Sequence, residues 1–234
     1  MSAMEATEVR KLAALEDKHW WYKERRVLLD RELARLTNPG RALDIGAAGG
    51  GNTRVLRARG WRPLAVEYTP EGAEVAQERG LDVMRADARY LPVRTGAMDL
   101  VTAFDVLEHI EEDYIAAGEI FRVLRPGGTL LVAVPCDMKL WSAHDEAVNH
   151  VRRYTRETLS EVIEKAGFEI ETLWSWNVLL RPVAAWRRKK STGSDLDDLS
   201  PLVNAGLTTI IAAERYLPVK SLPGVSLMLR ARRP

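Results

Sequence analysis

The chain has 234 residues, which suits one large domain with an elaboration better than two separate domains. Its 34 Lys and Arg residues nearly balance its 33 Asp and Glu residues, so overall charge does not favour nucleic acid as a partner. The single cysteine excludes an internal disulfide and a zinc site built on thiolates.

The N-terminal region predicts a helical lid over residues 1–40. Apolar residues recur at helical spacing through 5–37, and Asn38-Pro39-Gly40 ends the pattern. The first 26 residues carry charges throughout and have no apolar core of a signal peptide, and no window approaches ~20 uninterrupted apolar residues. We therefore expect a cytoplasmic protein without a transmembrane segment.

Short apolar runs then alternate with amphipathic stretches, which predicts a parallel sheet covered by helices on both faces. A further helix is expected at 155–166, with Thr155 as its N-cap, and a sharp turn at 125–128. The predicted strands lie at 42–45, 63–66, 81–86, 100–104, 129–134, 168–174 and 224–232, with helices at 52–59, 70–79 and 113–124.

The sheet is interrupted before its last strand by an insert, residues 175–223, so the predicted core is 41–174 plus 224–234. The insert combines an aromatic, basic segment with a polar stretch and a predicted helix at 202–216. A basic amphipathic segment can lie on anionic lipid. Because this one is short and interrupted by Pro182, we favour a cap over the substrate or a homodimer contact.

A glycine-rich turn follows the first strand, in the stretch LDIGAAGGGNT at 43–53. Such a turn is also used by nicotinamide and flavin enzymes, where helix amides meet a pyrophosphate. Asp44, two residues before the first glycine, would repel that anion and suits a cofactor with an ammonium group instead. Glu67 and Asp87 add carboxylates at the next two strand ends, where they could accept from ribose hydroxyls and an adenine amino group.

These motifs, with FDVLEHI at 104–110 and RVLRPGGTLLVAVP at 122–135, resemble in order those of class I S-adenosylmethionine-dependent methyltransferases. Ala48 stands where a middle glycine is often found. The resemblance implies an α/β, Rossmann-like, seven-stranded and mostly parallel sheet with its last strand antiparallel. It also implies S-adenosylmethionine as cofactor and S-adenosylhomocysteine as product. The expected cofactor-binding residues are Asp44, Gly46, Ala47, Gly50, Glu67, Tyr68, Asp87, Ala88, Phe104 and, for the methionine carboxylate, Arg26.

Methyl transfer to a hydroxyl needs alignment and a base, and the loop at 141–154 holds two of the four histidines. This loop resembles the HD…H-x-RRY stretch of a bacterial subgroup of these enzymes. We predict His144 as base, Asp145 as its neighbour and His150 as the second choice. The alternative is that His150, Arg152 and Tyr154 only connect the loop to the next helix. Expected substrate-binding residues are Trp20, Trp21, Tyr22, Trp141, Arg153 and Tyr154.

Asp105, Glu108 and His109 resemble the magnesium-binding residues of ubiquinone-type O-methyltransferases and small-RNA 2′-O-methyltransferases. The same letters occur in metal-free relatives, and Asp105 is shorter than the glutamate of those motifs. We therefore predict no metal and interpret His109 as a histidine at a helix start.

The function predicted is methyl transfer to a small molecule, on oxygen rather than nitrogen or carbon, in natural-product or glycan-lipid metabolism. One alternative is methylation of RNA or protein, against which the balanced charge argues for RNA. Another is a methyltransferase fold that binds the cofactor and catalyses a different reaction, such as a cyclisation. The sequence leaves the acceptor open.

Overall fold

The computed structural model describes residues 10, 13–188 and 199–234. The strands are β1 (Arg41–Ile45), β2 (Arg62–Glu67), β3 (Val83–Arg85), β4 (Met98–Phe104), β5 (Leu124–Pro135), β6 (Glu169–Trp176) and β7 (Ser226–Arg232). The helices are α1 (Trp20–Leu33), α2 (Gly51–Ala58), α3 (Pro70–Glu78), α4 (Asp113–Val123), α5 (Ala143–Ala147), α6 (Arg156–Lys165), α7 (Arg181–Arg188) and α8 (Pro201–Glu214). Short 3₁₀ turns lie at Leu107–His109 and Met138–Leu140.

The seven strands form one sheet in the order β3-β2-β1-β4-β5-β7-β6. Strands β1 to β5 pair in parallel, and β7 runs antiparallel to both β5 and β6. The predicted fold is therefore confirmed. The carboxyl ends of the parallel strands meet at one edge, which is where ligands bind in open α/β sheets.

Both faces of the sheet are buried, as expected for parallel strands. Leu43, Val101 and Val132 pack on the face that α4 and α6 cover. Leu100 directly precedes Val101 in β4, and Leu131 directly precedes Val132 in β5. These two leucines pack on the opposite face, together with side chains of α1, α2 and α8. The alternation of successive side chains in a strand thus places two apolar cores on either side of one sheet.

The turn predicted at 125–128 is wrong in its boundaries, because β5 already begins at Leu124. Leu124 pairs with Met98 and Thr129 with Leu100, so the strand carries a bulge between these two pairs. Gly127 adopts a φ of 76°, and its N–H donates to the Arg233 carbonyl at 2.8 Å. The Pro-Gly-Gly segment therefore bends the strand locally without ending it.

In the lid, residues 13–16 are helical and the chain bends before α1, so one unbroken helix through the region does not form. His19 caps α1 by accepting from the Trp21 N–H. The lid and the insert meet directly, since Asn204 Oδ1 on α8 accepts from the Trp20 N–H at 2.9 Å. Predictions that fall on residues 1–9, 11–12 and 189–198, including most of the polar stretch of the insert, lie outside the described residues. Within the described ranges, no helix combines the length and apolar character that spanning a bilayer requires.

Candidate active site

A cavity of about 310 Å³ lies above the carboxyl ends of the strands, between the lid and the insert. All four histidines of the chain line it. We call one side the loop end, formed by Glu16, Gly46, Ala47, Ala48 and Asn52. The other side is the insert end, formed by His144, Val148, His150, Arg153, Asn177, Leu180, Val183, Ala184, Arg187, Arg188 and Leu207.

Asp44 lies beneath the loop end and does not itself line the cavity. Its carboxylate is 1% exposed and accepts from Thr53 Oγ1 at 2.5 Å and from Thr102 Oγ1 at 2.6 Å. Burial raises the pKa of Asp44, and the two hydroxyl donors oppose that rise. The carboxylate thus ties β1 to β4 and to the first turn of α2, which holds the loop in place.

The loop itself needs glycine at two of the predicted positions. Gly46 and Gly50 have φ values of 67° and 78°, in the region that favours glycine. A Cβ on Gly46 would lie 2.6 Å from a methyl group of Val106, and one on Gly50 would collide with Leu81. The backbone at Gly46 and Ala47 therefore faces the cavity without a side chain in the way.

Glu67 ends β2 and is buried, and its Oε1 accepts from the Ala48 N–H of the loop. Burial raises the pKa of Glu67 to about 7. Asp87 follows β3, and Arg89 binds its carboxylate through Nε and Nη2. The hydrogen bond with Arg89 lowers the pKa of Asp87.

Four residues that were predicted to bind the cofactor lie along this strand edge and do not line the cavity: Glu67, Tyr68, Asp87 and Ala88. Ala88 is buried in the core behind Asp87, and Tyr68 is exposed after Glu67. The loop end also gains a carboxylate that the sequence analysis missed, because Glu16 lies against Gly49 and Gly51 with its Oε2 buried and without a hydrogen-bond partner.

Together these residues fit an S-adenosylmethionine molecule. The buried Glu16 carboxylate, whose Oε2 lies 3.6 Å from Arg79 Nη1 and accepts no hydrogen bond from the described residues, suits an ammonium group, and Glu67 offers a carboxylate beside the loop. Phe104 at the end of β4 adds an aromatic wall.

The aromatic residues of the lid line the cavity as predicted: Trp20, Trp21 and Tyr22. Of the adjacent lid arginines Arg25 and Arg26, it is Arg25 that reaches the cavity, where it forms an ion pair with Asp105 and lies 4.4 Å from the centroid of the Trp21 ring. Arg26 does not line the cavity. The i,i+4 spacing from Trp21 places Arg25 on the same helix face, which is the signal that could have identified it.

At the insert end, Asp145 pairs with His150 and Arg153. His150 Nδ1 lies 2.8 Å from Asp145 Oδ1, and Arg153 Nε donates to the same oxygen at 2.8 Å. Burial alone would raise the pKa of Asp145, but the hydrogen bonds from His150 and Arg153 hold it well below its usual range. The carboxylate is therefore ionised, and His150 directs its Nδ1–H toward it.

His144 also lines the cavity, at the first turn of α5. Its ring centroid lies 6.2 Å from that of His150. Asp145 also completes a capping box with Ser142, accepting from the Ser142 N–H at 3.0 Å. The hydrogen bonds of Asp145 thus join it to His150, Arg153 and Ser142.

Tyr154 and Trp141 do not line the cavity. Tyr154 is 1% exposed and donates its hydroxyl to Asp113 Oδ2 at 2.6 Å. Arg152 binds the same oxygen, so Arg152 and Tyr154 connect the loop to the start of α4. Burial and the hydrogen bond with Asp113 raise the pKa of Tyr154. The Trp141 indole N–H points toward Glu146 at 3.5 Å.

Glu108, His109 and His150 bring three ligand atoms within 4.8 Å of one another and could hold a cation. No other described residue donates a hydrogen bond to either Glu108 oxygen, and burial raises the pKa of Glu108 to about 8. Burial, followed by the neighbouring His150, lowers the pKa of His109 to about 4. Asp105, which belongs to the same motif as Glu108 and His109, pairs with Arg25 instead.

The insert contributes wall residues that the sequence analysis did not single out. Asn177 follows β6 with a φ of 61°, is buried, and has no hydrogen-bond partner for its Oδ1. The helix α7 adds a row of cavity-lining side chains beyond it. The sequence shows that this segment is basic and aromatic, but which of its side chains face the cavity depends on tertiary packing.

The family model described as "Methyltransferase domain" matches residues 19–173, more than half of the chain. The chain belongs to this methyltransferase family. It is 30% identical to a Mycolicibacterium smegmatis protein named "Probable S-adenosylmethionine-dependent methyltransferase", over 73% of this chain and 67% of that protein. It is 31% identical to a ubiquinone biosynthesis O-methyltransferase of Xanthomonas campestris, over 54% of this chain and 60% of that enzyme.

Solved structures of this fold resemble the methyltransferase closely in architecture. A Haemonchus contortus phosphoethanolamine N-methyltransferase in complex with phosphomonomethylethanolamine and S-adenosylhomocysteine has a TM-score of 0.66 at 19% identity, covering 100% of this chain and 59% of that one. The cyclase SpnF has a TM-score of 0.61 at 24% identity, covering 92% and 82%. The predicted family, cofactor and enzyme class are thus confirmed: the protein is an S-adenosylmethionine-dependent methyltransferase.

Proposed function

We propose that this methyltransferase methylates a hydroxyl oxygen of a small molecule, with His150 as the general base. The observation that carries the proposal is the 2.8 Å hydrogen bond between His150 and Asp145 on the wall of the cavity. A buried carboxylate that accepts from Nδ1 fixes the tautomer and leaves Nε2 as the basic nitrogen. This arrangement suits an acceptor that must lose a proton, which a hydroxyl does.

When bound, S-adenosylmethionine supplies an electrophilic methyl group on its sulfonium sulfur. His150 Nε2 would take the proton that the acceptor hydroxyl loses when its oxygen is methylated. Asp145 stabilises the resulting imidazolium, and Arg153 keeps Asp145 ionised. The proposal reverses the order of the two histidines predicted from the sequence, because of the hydrogen bond between His150 and Asp145.

A small acceptor is supported by the cavity, which the lid and the insert bound on two sides. Oxygen as the acceptor atom is further supported by the Xanthomonas relative, whose name is that of an O-methyltransferase. The placement in natural-product or glycan-lipid metabolism stays a prediction.

The test compares His150→Gln with His144→Gln, two variants that each remove one cavity-lining imidazole. Formation of S-adenosylhomocysteine is measured over a panel of small hydroxylated, aminated and carbon-nucleophile acceptors, with product masses determined by mass spectrometry. We expect methylated hydroxyl compounds, a kcat about 10²- to 10⁴-fold lower for His150→Gln, and a much smaller effect for His144→Gln. Both variants should bind S-adenosylhomocysteine as the parent protein does in isothermal titration calorimetry.

Three outcomes contradict the proposal. The first is methylation of amines with no hydroxyl substrate in the panel. The second is conversion of a substrate without formation of S-adenosylhomocysteine, which would indicate a reaction such as cyclisation. The third is an equal loss of kcat in both variants, since the histidine bound to Asp145, His150, would then have no greater role than His144.

A homodimer through the insert also stays a proposal. Its support is the outer face of α8, where Leu202, Val203 and Ile210 are exposed. Sedimentation velocity of the parent protein and of Ile210→Asp tests it, and a monomer at all concentrations for the parent protein would refute it.

A further inference from the structure

We propose that the acceptor carries an anionic group, a carboxylate or a phosphate, that Arg187 binds at the insert end of the cavity. The inference rests on the proposed function, because it assumes that the acceptor occupies this end. It names a substrate class and one residue that selects it.

The first argument is the geometry of α7. The cavity-lining residues of this segment are Leu180, Val183, Ala184, Arg187 and Arg188, spaced as one face of a helix. This face is apolar near its start and cationic in its last turn. It would therefore contact an acceptor that is apolar over part of its length and anionic at one point.

The second argument is the charge balance at the insert end. Arg153 is fully buried and is neutralised by Asp145. Arg187 forms no ion pair with any carboxylate in the described part of the chain, and no Asp or Glu of the described residues lines this end. Asp105, which lies between the two ends, is already paired with Arg25. Among the described residues, the positive charge of Arg187 at the insert end is therefore not balanced by a carboxylate.

The third argument is that the base and the cationic turn are neighbours. Arg188 donates to the Leu140 carbonyl at 3.0 Å, which ties the end of α7 to the loop that leads into α5. Its charge also helps to lower the pKa of Asp145. Arg187, Arg188 and His150 line the same cavity, so one acceptor could place its hydroxyl at His150 and an anionic group at Arg187.

The fourth argument is an independent polar group in the same wall. Asn177 is 4% exposed, its Oδ1 has no hydrogen-bond partner among the described residues, and it lines the cavity in a left-handed backbone conformation. A buried carbonyl oxygen without a donor destabilises the protein unless a ligand supplies one. A hydroxyl on the acceptor would do so, which makes the wall suited to a hydroxylated anion.

The experiment measures binding to the complex with S-adenosylhomocysteine by isothermal titration calorimetry, so that it needs no methyl transfer. Two matched pairs of probes separate the two sources of anionic charge. The carboxylate pair is 3,4-dihydroxybenzoate and 3,4-dihydroxybenzyl alcohol, and the phosphate pair is glycerol 3-phosphate and glycerol. We expect the anionic member of at least one pair to bind about tenfold or more tightly than its neutral partner.

Arg187→Gln should remove that preference, while leaving the affinity for S-adenosylhomocysteine and for the neutral probes unchanged. Arg94→Gln is the matched control, because it removes one positive charge from an exposed residue before β4, at the opposite end of that strand from the cavity. The inference is overturned if no anionic probe binds at millimolar concentration, if both members of each pair bind equally, or if the two variants behave alike. Failure of methylation with retained anion binding would refute the proposed function and leave this inference standing.

Discussion

The two ends of the cavity are built in different ways. At the loop end, the strands β1, β2 and β4 end side by side, and residues in or directly after these strands complete the site, as in the contacts of Asp44 with Thr102 and of Glu67 with Ala48. At the insert end, contacts join distant parts of the chain, as between Arg188 and Leu140. The loop end is therefore built on the sheet, whereas the insert end is built by segments outside it.

At the insert end, Arg153→Met should have the largest effect on stability. Both side chains of the Arg153–Asp145 pair are 0% exposed, so the variant leaves a buried carboxylate that has lost its cationic partner and keeps His150 and the Ser142 N–H as donors. We expect the free energy of unfolding to fall by about 3–5 kcal/mol, measured by urea denaturation. Arg94→Gln, an exposed arginine, should change it by less than about 0.5 kcal/mol. A comparably small change for Arg153→Met would show that the buried pair does not stabilise this end.

At the loop end, Thr102→Val removes one of the two hydroxyl donors to Asp44 while keeping the shape of the side chain. We expect a loss of about 1–3 kcal/mol in the free energy of unfolding, together with weaker binding of S-adenosylhomocysteine. Thr172→Val on β6 is the matched control, since the Thr172 hydroxyl is buried without a partner and its removal should be neutral or stabilising. Equal losses in the two variants would mean that the bond to Asp44 adds nothing beyond the threonine itself.

The same contrast explains what the sequence could predict. Strand-end carboxylates such as Glu67 follow from the alternation of strands and helices, and Thr155 caps α6 as expected because capping is local. The choice between His144 and His150 depends on which ring meets Asp145, which is set by the path of a loop. Arg187 required knowledge of how α7 packs. Long-range packing is not encoded in any short pattern, so the insert end was the part that the sequence left unresolved.

At the loop end, the affinity for S-adenosylhomocysteine should depend on pH. Because burial raises the pKa of Glu67 to about 7, its carboxyl is protonated below that pH and is a weaker acceptor for ribose hydroxyls. We expect the affinity for S-adenosylhomocysteine to rise with pH up to about 7 and to fall by up to about tenfold per pH unit below it. Glu67→Gln should bind more weakly with a flatter profile, measured by calorimetry at several pH values. A slope that survives in Glu67→Gln would assign the titration to another group, such as Glu16 or Asp44, whose pKa values burial also raises.

The smallest effect is expected from removal of metal ions. Two of the three grouped ligands, His109 and His150, are imidazoles, whereas Mg²⁺ prefers oxygen. The guanidinium groups of Arg25 and Arg153 act on Glu108 from nearby and would oppose a cation. Methyl transfer after treatment with EDTA should therefore equal that of the untreated enzyme. Loss of activity that Mg²⁺ or Mn²⁺ restores would show that Glu108, His109 and His150 hold a metal.

The antiparallel strand β7 has a consequence for how such enzymes can diversify. The Val225 N–H donates to the Trp176 carbonyl at 3.1 Å, so the chain leaves the sheet for the insert and returns to it at the same point. A segment whose two ends are pinned together can change length at little entropic cost, about 0.6 kcal/mol for each doubling. We therefore expect that a segment of different length and sequence could replace the insert between β6 and β7 without changing how the strands pair. Such a replacement could change the acceptor while the methyl donor stays the same.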